Sequence, residues 1–155
     1  MKKAIFVILA LIGFTAVSSA QSKSIGVRIG NYVDVSYELN VLSDDFLEFD
    51  GGIATYQDPN FHVDGIYNIM ISQPQWTSEG TWGFYAGPGA SVSAWAGSEG
   101  KSAVYAGVLG NVGLEYTFNI PLQLSIDARP RLMFGNGGVW TEGILSFGVS
   151  VRYAF

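Results

Sequence analysis

Leu145-Ser146-Phe147-Gly148-Val149-Ser150-Val151-Arg152-Tyr153-Ala154-Phe155 ends the chain, and its reading decides the fold. Every odd position is large and apolar, and every even one is Ser, Gly, Arg or Ala. A period of two places these sets on opposite faces of a β-strand. In a soluble sandwich the apolar face would turn inward. In a closed barrel surrounded by lipid it turns outward, and the polar face lines the interior.

The same alternation recurs upstream, broken by turn residues. Strands are predicted over Ser24–Gly30, Val33–Leu39, Phe46–Thr55, Phe61–Ile71, Trp82–Ala96, Ala103–Phe118 and Leu122–Phe134, with the closing stretch as the eighth. Between them lie Asn31-Tyr32, Gln57-Asp58-Pro59-Asn60, Ser72-Gln73-Pro74, Gly97-Ser98-Glu99-Gly100 and Gly135-Asn136-Gly137-Gly138. The expectation is an all-β fold, an eight-stranded antiparallel up-and-down transmembrane β-barrel.

Composition agrees. Charged residues make up 14 % of the chain, where a soluble domain carries about a quarter. After the first twenty positions no apolar run reaches the ~20 residues of a membrane helix. Those first positions predict a secretory signal peptide over residues 1–20: Lys2-Lys3, an apolar run from Ala4 to Val17, then Ser18-Ser19-Ala20 as small residues for cleavage. Residues 21–155 would then form the barrel. The chain has no Cys, so neither a disulfide nor a lipidated N-terminal Cys is available to it.

Strand parity sorts the charges sharply. Every arginine of the chain (Arg28, Arg129, Arg131, Arg152) falls on an inward row, while Lys23 and Lys101 lie at an end and in a turn. An arginine facing lipid at mid-depth costs about 2–4 kcal/mol, so this sorting suits a bilayer. Asp34, Glu38, Glu48, Asp50, His62 and Asp64 are expected inward on strands two to four, with Glu115 and Asp127 nearer the arginines. The lumen of eight strands is only wide enough for side chains to fill. Its expected content is a polar plug of Arg–carboxylate pairs. A proton or small-ion path, or a calcium site among the carboxylates, is the sharper alternative.

His62 shares a face with Asp64, but no Ser can be placed beside it from sequence, so a hydrogen-bonded structural role is preferred to a nucleophilic one. Pro88 and Pro130 interrupt strands five and seven. Small inward residues beside the first break (Gly83, Gly87, Gly89, Ser91, Ser93) allow either a pocket for an apolar ligand or a bulge that helps the sheet bend. Aromatic girdles are expected at both rims, from Tyr37, Trp82, Phe84, Tyr116, Phe118, Tyr153 and Phe155 at one and Tyr56, Phe61, Phe134 and Trp140 at the other. The longest connection, Ser72 to Thr81, would face the periplasm.

From Ser24 to Phe155 the chain resembles the small outer-membrane β-barrel proteins of Bacteroidota-type genomes, of OmpX/OmpW-like architecture. The resemblance rests on Val112-Gly113-Leu114-Glu115-Tyr116, on Ile120-Pro121-Leu122-Gln123-Leu124-Ser125-Ile126-Asp127-Ala128-Arg129-Pro130, and on the closing Phe147–Phe155. Val151, Tyr153 and Phe155 resemble the C-terminal signal by which Gram-negative bacteria deliver barrels to their assembly machinery. The resemblance implies an eight-stranded barrel in the outer membrane and carries over no catalytic, cofactor-binding or metal-ligating residue.

The expected function is therefore that of a non-enzymatic, monomeric envelope barrel in contact with outer-membrane lipid. The alternatives are a narrow pore or lateral conduit for small or apolar molecules, a lipid-modifying enzyme, and a soluble lipocalin-like binder. An exported acidic chain is not expected to bind nucleic acid.

Overall fold

The computed structural model describes residues 23–54, 60–96, 102–136, 138–142 and 146–155. The expected signal peptide over 1–20, the turns at Gln57–Pro59 and Gly97–Gly100, and Tyr56, Lys101 and Leu145 lie outside the described residues.

Alternating sequence gives strands throughout, and no helix occurs among the described residues. In chain order they are β1 (Lys23–Gly30), β2 (Tyr32–Leu42), β3 (Asp45–Ala54), β4 (Asn60–Ser72), β5 (Thr81–Ala96), β6 (Ser102–Thr117), β7 (Leu122–Ala128), β8 (Arg131–Gly135), β9 (Gly138–Glu142) and β10 (Phe147–Ala154). Their hydrogen-bonded order is β5-β4-β3-β2-β1-β10-β7-β6-β8-β9, and a further β5–β6 ladder joins β5 to the other flank of the sheet. All pairs are antiparallel. Because β7 and β8 are successive pieces of one stave, as are β9 and β10, the ten segments make a closed barrel of eight staves. Closure abolishes the exposed edges that an open sheet of this length would leave.

The seam between first and last strands is complete. β1 and β10 pair from Ser24↔Ala154 to Gly30↔Gly148. The Lys23 N–H donates to the Phe155 carbonyl at 3.0 Å, and Phe155 returns the bond to Lys23 at 2.8 Å.

Two expectations are corrected. β2 runs past Leu39 to Leu42 and already includes Tyr32, because cross-strand pairing with Ala54 holds Tyr32 in the ladder. The seventh stave does not run unbroken from Leu122 to Phe134: it stops at Ala128 and resumes at Arg131. Pro130 has no N–H to give, and its carbonyl instead accepts from Gly110 at 3.0 Å while Arg129 N–H donates to Ser146. Pro88 acts more locally. The β5–β6 ladder passes through Pro88↔Gly110, whereas the β4–β5 ladder skips between Ile66↔Gly89 and Ile69↔Ala86.

Parity decides what each face shows. Outward positions are apolar and exposed, among them Ile29, Val63, Val108, Ile126 and Val149. The connection from residue 73 to 80 packs in part on the outer wall. Trp76 packs on Trp82 at 5.4 Å, Trp82 on Tyr116 at 4.7 Å, and Tyr116 on Phe118 at 4.6 Å. Tyr116 OH donates to the Glu79 carbonyl and Trp82 Nε1 to Thr77 Oγ1, which fixes the loop against this ladder of rings.

Candidate functional site

Inward parity concentrates charge in the barrel interior. Arg28, Arg129, Arg131 and Arg152 are all buried there, together with Asp34, Glu38, Glu48, Asp50, His62, Asp64 and Asp127. Isolated buried ions would be prohibitively costly, so the arrangement depends on pairing and hydrogen bonding.

Arg129, fully buried on the short link between β7 and β8, is the hub. It spans the lumen to Glu48 at 2.6 Å and to Asp50, both on β3, and its Nε lies 3.0 Å from Asp127 on β7. Arg152, on β10, reaches Glu38 at 2.9 Å and also pairs with Glu48. Its Nε donates to Ser36 and its Nη1 to Ser125. The second Glu48 oxygen accepts from Asn68 at 2.9 Å, and Asn111 in turn donates to Asn68. Planar guanidinium groups suit this work because each offers five donors in a fixed fork.

Arg28 lies nearer the opposite end of the barrel. It bonds Asp127 through two nitrogens, the shorter contact 2.6 Å, and Asp34 at 3.3 Å. To reach Asp127 on β7 it must cross β10, and it does so over Gly148: a Cβ there would sit on the Arg28 guanidinium. Arg131 pairs with Asp64 at 2.6 Å and stands over the Tyr32 ring at 4.9 Å. His62 Nε2 lies 3.3 Å from Asp34 and 3.6 Å from Asp64, off the line of a hydrogen bond, and its ring meets Tyr32 edge-on at 4.3 Å. The β4–β5 register sets Ser93 opposite His62, a neighbour the sequence alone did not place. Both are buried, and no hydrogen bond joins them among the described residues.

Glu115 stands apart from the arginine pairs. It is half-buried at the mouth where β1 begins and β10 ends, and accepts from Gln123 Nε2 at 2.9 Å. Val151, Tyr153 and Phe155 point away from the lumen and are exposed.

Several interior groups were not singled out from sequence, although they lie on the same inward rows. Ser24 donates to Glu38 at 2.8 Å. Tyr85 is completely buried against Phe46, ring centroids 5.1 Å apart. Ile66, Leu109 and Met133 also point inward. These side chains occupy the space beside Pro88 where a pocket was one of two expectations: a Cβ on Gly89 would stand 3.0 Å from both Ile66 and Leu109, and one on Gly113 would fall on the Tyr85 ring. Around Pro88 the glycines accommodate large neighbours.

No family model matches the chain, and no curated protein or solved structure is significantly similar to it. The architecture thus stands on the geometry alone: an eight-stranded antiparallel barrel with an ion-paired interior and an apolar outer wall.

Proposed function

We propose that this chain is a non-enzymatic outer-membrane β-barrel of the Gram-negative envelope, with a structural role and a salt-bridged polar plug in place of an open channel. The observation that carries the reading is the inversion of polarity. Guanidinium and carboxylate groups fill the interior, while Val, Ile, Leu and Phe form the outer wall. A barrel surrounded by water has no reason to expose Val63 at 63 %, Ile29 at 59 % and Val149 at 54 % while burying every arginine. A barrel surrounded by hydrocarbon requires it.

The aromatic row Trp82-Tyr116-Phe118, with Tyr153 and Phe155, suits a membrane–water interface at the periplasmic rim. The outward closing aromatics are accessible to barrel-assembly machinery during biogenesis, and the closed sheet supports a monomer in contact with outer-membrane lipid. Pairing across the lumen by Arg129 and Arg152 favours a plug over a pore.

Val149→Arg tests this directly. Val149 faces outward near the middle of the stave formed by β9 and β10, paired with Ile29 and Ile126. Folded into lipid vesicles and titrated with urea, the variant should lose about 2–4 kcal/mol relative to the parent, the cost of an arginine facing lipid at mid-depth. A change under about 0.5 kcal/mol, the ordinary cost of a solvent-facing substitution, would point to an aqueous surround.

A further inference from the structure

We propose that the mouth at which β1 begins and β10 ends is a binding site for a short aliphatic amine, held as its ammonium ion. The site lies outside the arginine-centred pairs described above, and its occupancy does not depend on whether the barrel stands in a membrane.

A cavity of about 210 Å³ opens at this mouth. It is smaller than the 300–1,000 Å³ of pockets for drug-sized ligands but holds several non-hydrogen atoms. Its charge is one-sided. Glu38, Glu115 and Asp44 line it against the single ammonium group of Lys23. The interior behind it adds to the imbalance: six buried carboxylates (Asp34, Glu38, Glu48, Asp50, Asp64, Asp127) face four guanidinium groups. Carboxylates thus outnumber guanidinium groups behind a cavity that opens outward, which favours a cation in it.

Hydrogen bonding narrows the ligand. Glu38 already accepts from Ser24 through Oε2 at 2.8 Å, and its Oε1 lies 2.9 Å from Arg152 as an ion pair without a hydrogen bond. Gln123 is 7 % exposed and lines the cavity; its Nε2 is committed to Glu115, and its Oε1 is a buried acceptor that receives no donor among the described residues. A buried acceptor left so carries a desolvation cost that a donor-bearing ligand recovers. Glu115, Asp44 and the Gln123 oxygen therefore ask for a cation that also donates hydrogen bonds. A ligated metal ion fits less well, since no three acidic or His groups among the described residues are grouped to hold one. Phe46 and Met70 supply an apolar wall for methylene groups between or beside the amines.

The test uses the full barrel refolded in detergent, 1,4-diaminobutane as probe, and titration calorimetry at low ionic strength. Saturable binding of one diamine per chain is expected, weakened at least tenfold by Glu115→Gln and also by Asp44→Asn, with no binding of the uncharged 1,4-butanediol. Both residues lie at the mouth and are half-buried or exposed, so the variants should keep the parent's gel mobility before boiling. The proposal is overturned by absence of saturable binding, by equal affinity in the parent and both variants, or by magnesium ion binding the same mouth as tightly as the diamine.

Discussion

Arg129→Met is expected to cost the folded barrel about 3–5 kcal/mol, the penalty for removing one partner from buried charges and leaving the others uncompensated. Arg129 pairs with Asp50, and it also holds Glu48 and Asp127. Methionine fills much of the volume but returns none of the donors, so three carboxylates lose a partner at once. Urea unfolding followed by unboiled gel mobility measures the loss. The sign of coupling makes the prediction specific. Adding Asp50→Asn to Arg129→Met should be less destabilising than the sum of the two single changes, because the amide removes a charge that no longer has a counterion. Strict additivity, or a single-variant loss below about 1 kcal/mol, would mean that water or protons already neutralise the hub.

Gly26→Val carries the second large effect. Gly26 faces the lumen on β1, paired with Arg152 on one side and Ser36 on the other. A Cβ at this position would strike the Val151 carbonyl and stand 2.6 Å from the Arg152 Cα. Those atoms are backbone of the closing strand, so they cannot swing aside as a side-chain end would. The variant must either part the β1–β10 seam or bend it, at about 3 kcal/mol, the upper range for forcing extra carbons into a packed site. A loss of the unboiled mobility shift is the expected readout. Gly51→Val is the control: its nearest neighbour would be the His62 carbonyl at 3.9 Å, an ordinary contact, and mobility should stay as in the parent. Equal behaviour of the two variants would show that the seam has more room than its geometry allows.

Much of this architecture was legible in the chain because a period of two fixes the face of every strand residue once one strand is placed. Val149 outward and Arg152 inward followed from the closing stretch, and the same parity sorted Arg28, Arg129, Asp34 and Asp64. Parity does not give depth, however. Which carboxylate Arg129 meets depends on how far each strand slides against the next, summed around the ring, and no local signal encodes that register. Glu48, 81 positions away in sequence, became its partner only through the accumulated stagger of the staves. The same limit hid Ser93 opposite His62 and left Glu115 grouped with the arginines, although it sits at the mouth with Gln123. Tyr85 and Leu109 escaped notice for a different reason. They are large apolar side chains on the inward row, contrary to the rule that the closing strand suggested, and they fill the space left by glycines on neighbouring strands.

Position in the cell is the most direct test of the central claim, that charge lies inside because lipid lies outside. Expressed in a Gram-negative host with its first twenty residues intact, the protein should be recovered in the outer-membrane fraction after carbonate washing, and should run at a different apparent mass unboiled than boiled. Recovery in the soluble periplasm with a single mobility would contradict the account and would make the apolar outer wall a surface for some other partner.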